Sequence, residues 1–101
     1  STAVGKWIQN VAARNFIPTV MELGGKDPML VLDDADLEMA SSGAVWGAFT
    51  NCGQVCSSVE RVYVARSIYQ TFVDMVEAKT NKLRIGSGLD FGVDMGPMIS
   101  L

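Results

Sequence analysis

The chain has 101 residues, of which 49% are hydrophobic, and a formal net charge of −3. A chain of this length and hydrophobic content is expected to be ordered and is within the size of one domain. Its 8 basic residues are scattered along the sequence, which argues against a nucleic acid partner. The sequence contains no apolar run of about 18 residues, so we expect no membrane span.

The first part of the chain predicts one helix followed by two short strands. Residues 2–14 have the apolar spacing of an amphipathic helix. Residues 19–23 (Thr-Val-Met-Glu-Leu) have the content of a short buried strand, which Gly24 and Gly25 interrupt. Residues 28–32 form a second apolar run, and we expect a second strand there.

The middle of the chain predicts a helix and a third strand. One of the three acids Asp33, Asp34 and Asp36 is expected to cap a helix over residues 37–50. That helix is rich in small side chains, which favour close packing against a neighbour. Residues 61–65 (Arg-Val-Tyr-Val-Ala) are rich in β-branched and aromatic side chains, which is typical of a strand.

The last part predicts one more helix and a loop. Residues 67–70 have the spacing of a capping box, which would begin a helix that ends near residue 83. Residues 86–98 are rich in glycine and show no period, so we expect a loop. The full order α-β-β-α-β-α indicates an α/β fold, or parts of two α/β domains.

The chain contains two cysteines, Cys52 and Cys56, and no histidine. The thiolate is the reactive form of cysteine, and histidine is its usual base. A Cys–His mechanism is therefore excluded within this chain, and a reactive Cys56 would need a carboxylate, a cofactor charge or a helix dipole. The two cysteines would close almost no loop as a disulfide and supply too few ligands for zinc. We expect reduced thiols and no metal site.

Glu22 is the best candidate for that carboxylate. It lies at the end of an apolar run and is followed by Gly24 and Gly25, which would let a backbone or a flat ligand approach closely. A carboxylate placed there can serve as a general base. The residues alone leave two plainer interpretations open, a solvated glutamate at Glu22 and an inert thiol at Cys56.

The two motifs together resemble the aldehyde dehydrogenase superfamily. Glu-Leu-Gly-Gly-Lys at 22–26 and Gly-Gln-Val-Cys at 53–56 carry the resemblance. It extends to Ser-Thr-Ala-Val-Gly at 1–5, to the strand and acidic turn at 27–36 and to the Gly-Pro loop at 94–99. The chain has no initiator Met, and we expect it to be an internal fragment of a longer enzyme.

The resemblance implies a fold and a domain division. The fold is α/β, the end of a Rossmann-like cofactor domain followed by the start of the α/β catalytic domain. Residues 1–25 would be the C-terminal part of the NAD(P)-binding domain, and residues 26–101 the N-terminal part of the catalytic domain. The parent enzyme would be a cytoplasmic oxidoreductase and a homo-oligomer.

The resemblance also implies roles for six residues. Cys56 matches the catalytic nucleophile and Glu22 the general base in the oxidation of an aldehyde to a carboxylic acid, through a thiohemiacetal and a thioester. NAD or NADP would be the cofactor. Its site would include Ser1 and Gly5 near the phosphates, and Leu23 and Gly24 beside the nicotinamide. Cys52 matches no catalytic position.

Two alternatives stay open beside this hydrolytic dehydrogenase. One is a CoA-acylating semialdehyde dehydrogenase, in which the thioester passes to CoA and no basic glutamate is needed. Glu22 in an intact motif favours hydrolysis. The other is a catalytically inert structural fragment of the same fold. We expect the isolated 101 residues neither to bind cofactor tightly nor to oxidise an aldehyde.

Overall fold

The computed structural model describes residues 1–100 and has five main elements in an α/β arrangement. In chain order these are α1 (Thr2–Arg14), β1 (Asp27–Val31), α2 (Leu37–Phe49), β2 (Val59–Val64) and α3 (Tyr69–Thr80). A left-handed turn lies at Thr50–Gly53 and a short 3-10 turn at Arg66–Ile68. Among the helices within residues 1–100, none combines the length and apolar content that a membrane crossing requires.

Strands β1 and β2 pair in parallel, and α2 forms the connection between them. Parallel strands need such a crossover, because their ends lie at opposite edges of the sheet. The core beside this sheet is small and consists of Val31 from β1, Ala44 from α2 and Phe72 from α3. Both helices therefore bury apolar side chains against the β1–β2 pair.

Helix α2 begins where an acidic residue caps it. The Asp36 carboxylate accepts hydrogen bonds from the backbone N–H groups of Glu38 (2.9 Å) and Met39 (3.0 Å). These bonds satisfy amides that have no partner within the helix. The structure thus confirms an acidic cap and identifies Asp36 as the residue that provides it.

The small residues of α2 permit close contact with β2, as predicted. A Cβ atom on Gly47 would lie 2.7 Å from Val59 Cγ2, closer than two carbon atoms can approach. Ser41 is fully buried on the same helix. The Lys79 ammonium of α3 forms an ion pair with Glu38, which joins the two helices.

The strand predicted at residues 19–23 is wrong. The structure has no regular secondary structure over residues 17–26. A strand needs a neighbour for its backbone groups, and within residues 1–100 no strand pairs with this segment. Its apolar content is therefore not sufficient to form a strand. The other two strands are confirmed with bounds shifted by one or two residues.

The predicted capping box at residues 67–70 is also wrong. Ser67 lies inside the 3-10 turn Arg66–Ile68, and α3 begins after it with no side-chain cap. The helix ends at Thr80 rather than near residue 83. The N–H groups of Lys82 and Leu83 bond to carbonyls three residues back, so the last turn tightens and the α-helix stops.

Helix α1 contacts the segment that joins it to β1, where Leu23 packs against Gly5. The molecule measures 55 × 36 × 20 Å, with a radius of gyration of 18.1 Å. A compact chain of about 100 residues would have a radius of gyration of about 13 Å. Trp7 on α1 remains 67% exposed. The predicted division near residue 25 falls in the segment between α1 and β1, and it stays a prediction.

Candidate functional site

Cys56 lies in the loop between α2 and β2, after an unusual turn. Three successive residues, Asn51, Cys52 and Gly53, have positive φ angles of 52°, 58° and 72°. The left-handed conformation costs about 1–2 kcal/mol for a residue with a side chain. Sequence reasoning missed this turn, although asparagine and glycine are the residues that adopt such angles most readily.

Side-chain hydrogen bonds close this turn. Asn51 Nδ2 donates to the Gln54 carbonyl oxygen (3.1 Å), and Gln54 Nε2 donates to the Asn51 carbonyl oxygen (2.9 Å). After the turn, the buried Ser58 hydroxyl donates to the Gly47 carbonyl oxygen (3.2 Å). This bond attaches the end of the loop to α2. Cys56 therefore lies between the closed turn and the bond from Ser58 to Gly47.

The Gly-Pro loop at residues 94–99 contacts the cysteine loop directly. Cys52 Sγ donates to the Gly96 carbonyl oxygen (2.9 Å). The Ile99 N–H donates to Gln54 Oε1 (3.0 Å). Two segments that sequence analysis singled out separately are thus neighbours in the fold.

Arg84 fixes the start of that Gly-Pro loop. Its guanidinium donates to both Asp94 carboxylate oxygens, from Nε at 3.0 Å and from Nη2 at 3.1 Å. Its backbone N–H also donates to the same carboxylate (3.0 Å). The side-chain hydrogen bonds from Arg84, and after them its backbone hydrogen bond, lower the pKa of Asp94 from 3.8 to about 2. The same ion pair raises the pKa of Arg84. Sequence reasoning did not pair these two residues.

The structure brings the two predicted catalytic motifs together at Gly25. A Cβ atom on Gly25 would lie 3.2 Å from the Cys56 carbonyl oxygen. The next residue, Lys26, forms an ion pair with Glu60 (2.5 Å), and its carbonyl accepts a hydrogen bond from Arg61. The glutamate motif is therefore held beside the strand that follows the cysteine motif.

The two predicted catalytic side chains are both exposed. Cys56 is a free thiol, and Glu22 lies three residues before the contact at Gly25. The hydrogen bonds and ion pairs found within residues 1–100 include neither side chain. Their motifs meet through backbone, and the catalytic roles of the two side chains stay predictions.

The four predicted cofactor residues lie at the start of α1 and on the segment between α1 and β1. Ser1 caps α1, with its hydroxyl accepting from the Val4 N–H at 3.4 Å. A Cβ atom on Gly5 would lie 2.8 Å from Leu23 Cδ1, so these two residues pack together. A Cβ atom on Gly24 would meet nothing within 4 Å, so Gly24 borders open space.

This arrangement fits a dinucleotide. The first turn of α1 contains no acidic residue, and a helix N-terminus without acids favours a phosphate. Gly24 leaves room for a flat ring against the backbone. Within residues 1–100, no group of three or more His, Cys, Asp or Glu side chains is suited to a metal ion.

Comparisons with known proteins agree with the resemblance. The family model described as "Aldehyde dehydrogenase family" matches residues 1–101. A 3,6-anhydro-alpha-L-galactose dehydrogenase from Vibrio sp. (strain EJY3) is 42% identical over 100 residues, which are 99% of this chain.

Solved structures share the fold. An NADP-dependent enzyme of E. coli superposes with a TM-score of 0.92 at 40% identity, over 97% of this chain and 20% of that one. Betaine aldehyde dehydrogenase from Staphylococcus aureus, in complex with NAD+, superposes with a TM-score of 0.90 at 40% identity, over 97% of this chain and 19% of that one. The fold-class prediction is confirmed.

The chain spans about a fifth of the length of the curated relatives that it matches. It covers 21% of the Vibrio enzyme and 20% of a Pseudomonas putida 3-sulfolactaldehyde dehydrogenase. The elongated shape and the small core agree with a piece of a larger fold.

Proposed function

This chain belongs to the aldehyde dehydrogenase family, and we propose that it supplies the nucleophile and the general base of an NAD(P)-dependent enzyme that oxidises an aldehyde to a carboxylic acid. The observation that carries the proposal is the contact of Gly25 with the Cys56 carbonyl oxygen, because it joins the two catalytic motifs. The complete activity belongs to the longer protein of which residues 1–101 are one part.

Cys56 begins the reaction as the nucleophile. Its thiolate attacks the aldehyde carbon, a C–S bond forms, and the carbonyl electron pair moves onto oxygen. The Cys56 N–H forms no backbone hydrogen bond within residues 1–100. It is therefore available to donate to the developing oxyanion, as oxyanion holes require.

Glu22 completes the reaction as the general base. The NAD(P) that Leu23 and Gly24 would hold would supply a hydride acceptor for the thiohemiacetal, and Cys56 would then carry a thioester. The Glu22 carboxylate takes a proton from water, the water oxygen attacks the thioester carbon, and the C–S bond breaks. The products are a carboxylic acid and the free thiolate. No histidine is needed at any step, in agreement with the sequence.

The cofactor site is proposed on α1 and on the segment before β1. Ser1 and Gly5 would face its phosphates, where the N–H groups of Thr2 and Ala3 form no hydrogen bond within residues 1–100. Leu23 and Gly24 would lie beside the nicotinamide. The relatives include both an NADP-dependent enzyme and a structure with NAD+, and either dinucleotide is compatible with these four residues.

The wider assignments are part of the same proposal. Residues 1–25 would close the cofactor domain and residues 26–101 would begin the catalytic domain. The substrate would be a small aldehyde, and the whole enzyme a cytoplasmic homo-oligomer. The isolated 101 residues would be inactive, because most of the family fold lies outside them.

Selective alkylation tests the proposal. The full-length protein is treated with iodoacetamide, and labelling of each cysteine is followed by mass spectrometry of its peptide. We expect Cys56 to react much faster than Cys52 and to be protected by an aldehyde substrate. Activity should be lost in step with Cys56 labelling. Equal, slow labelling of both thiols with activity retained would overturn the proposal in favour of the inert alternative.

A further inference from the structure

We propose that Gln54 is a positioning residue for Cys56, acting as a two-ended clamp between the left-handed turn and the Gly-Pro loop. This inference rests on the proposed role of Cys56 as nucleophile. It adds a function for a side chain that is neither nucleophile, base nor cofactor ligand.

Both polar atoms of the Gln54 side-chain amide form hydrogen bonds, and their partners lie in different parts of the chain. Nε2 donates to the Asn51 carbonyl oxygen (2.9 Å), inside the turn. Oε1 accepts from the Ile99 N–H (3.0 Å), 45 positions away in the sequence. A single side chain thus ties the turn that precedes Cys56 to a separate loop. An apolar side chain of the same length could do neither.

The loop at the far end of the clamp is itself supported. Asp94 at its start is held by three hydrogen bonds from Arg84. Gly96 in the same loop accepts a hydrogen bond from Cys52, a second link to the turn. The Ile99 N–H is therefore presented by a loop that is anchored at its start.

The turn needs such support because its backbone is left-handed at Asn51 and Cys52. A non-glycine residue in this conformation persists only where the surroundings hold it. The Cys56 side chain is exposed and forms no hydrogen bond of its own within residues 1–100, so its direction follows from its backbone. Releasing the turn would shift the thiol, and a shift of about 1 Å can cost about 100-fold in rate.

The test replaces Gln54 in the full-length enzyme and measures the steady-state oxidation of an aldehyde. Gln54→Met keeps the length and removes both bonds. Gln54→Glu keeps an acceptor for the Ile99 N–H and loses the donor to Asn51. We expect kcat to fall about 10- to 100-fold in Gln54→Met, with KM changed less than about threefold, and Gln54→Glu to be intermediate. Equal kcat in all three proteins would overturn the proposal.

A second pair of variants tests the other end of the clamp. Ile99→Pro removes the donating N–H, whereas Ile99→Ala keeps it and truncates a side chain that is 93% exposed. We expect Ile99→Pro to lower kcat and Ile99→Ala to resemble the parent. The effects of Gln54→Met and Ile99→Pro should add only in part, since both variants lose the hydrogen bond between the Ile99 N–H and Gln54 Oε1. Full additivity would overturn the clamp. If Gln54→Met fails to fold, the Ile99 pair decides alone.

Two readouts separate this inference from neighbouring explanations. A fall in kcat accompanied by an equal rise in KM and a large loss of thermal stability would indicate general disruption, and would overturn a positioning role. Cys56→Ala tests the underlying assignment. If that variant stays active, the proposed function fails. If it is inactive while Gln54→Met matches the parent, only the clamp fails.

Discussion

Gly25 lies against the backbone carbonyl of Cys56, where a Cβ atom would be 3.2 Å from the carbonyl oxygen. The same atom would be 2.5 Å from Asp27 Oδ1, a side-chain oxygen that can rotate away. The carbonyl of Cys56 is backbone and moves only if the cysteine loop moves. The absence of a side chain at Gly25 therefore permits the approach of the glutamate motif to the cysteine motif.

Alanine at this position should damage catalysis more than stability. We expect Gly25→Ala to lower kcat about 10- to 100-fold in the full-length enzyme, because it shifts the backbone beside Cys56, the proposed nucleophile. Gly88→Ala is the matched control, since a Cβ atom there would meet nothing within 4 Å. Steady-state rates of NAD(P)H formation give the comparison. Parent-like activity in Gly25→Ala would show that the contact does not matter.

Local features of the fold were predictable from the sequence where they depend on neighbouring residues. The Asp36 cap acts on amides two and three residues away, and the spacing of α1 is a property of one segment. The strand at residues 19–23 failed because strand formation depends on a partner, which a short window cannot reveal. Helix α3 ends earlier than its apolar spacing predicts, because Lys82 and Leu83 bond to carbonyls three residues back and tighten the last turn.

The candidate site was predictable in its motifs and not in its contacts. Cys56 and Glu22 stand out because their motifs resemble those of the aldehyde dehydrogenase family. The absence of histidine excludes a Cys–His mechanism within this chain. The bonds from Cys52 to Gly96 and from Ile99 to Gln54 join segments more than 40 positions apart. Nothing in the sequence pairs those segments, because the pairing arises only when α3 returns the chain to the α2–β2 loop.

Cys56 and Cys52 should differ sharply under substitution. Cys56→Ser is expected to lower kcat by at least about 1000-fold, since loss of a catalytic nucleophile removes the covalent route. Cys52→Ser keeps a hydroxyl donor for the Gly96 carbonyl and should retain most of the activity. The measurement is aldehyde-dependent NAD(P)H formation by both full-length variants. Comparable losses at the two positions would contradict the assignment.

Glu22→Gln should separate the two halves of the reaction. The amide cannot take a proton from water, so thioester hydrolysis should slow by about 100- to 10,000-fold. Thioester formation should continue, giving a rapid burst of NAD(P)H followed by slow turnover in stopped-flow absorbance. Glu77→Gln, at an exposed position on α3, is the control. Unchanged steady-state turnover, or turnover that depends on added CoA, would favour the acyl-transfer alternative.

The Arg84–Asp94 pair predicts an acid-dependent contribution to stability. The pKa of Asp94 is about 2 in the folded protein, below its ordinary value of 3.8. A lowered carboxyl pKa stabilises the fold fully above pH 3.8, and that contribution is lost as the pH falls through about 2. The unfolding midpoints of parent and Asp94→Asn should therefore differ at pH 5 and converge toward pH 2. A constant difference across this range would rule out the carboxylate as its source.

Two glycines of α2 should respond to alanine in opposite directions. A Cβ atom on Gly43 would meet only Met29 Cε, at 4.0 Å, so Gly43→Ala should stabilise by about 0.5–1 kcal/mol through lower chain entropy in the unfolded state. A Cβ atom on Gly47 would lie 2.7 Å from Val59 Cγ2, and a β-branched side chain has little freedom to rotate. We therefore expect Gly47→Ala to destabilise by about 1–3 kcal/mol.

A variant with a smaller side chain at Val59 tests whether the close approach of a Cβ atom on Gly47 to Val59 causes this destabilisation. Val59→Ala alone removes apolar contacts and should destabilise the fold. Combined with Gly47→Ala, it makes room for the new methyl group, so the double variant should be more stable than the sum of the single effects predicts. Chemical denaturation of the four proteins gives the coupling energy. Strict additivity would mean that α2 does not pack against β2 at Gly47 as the structure has it.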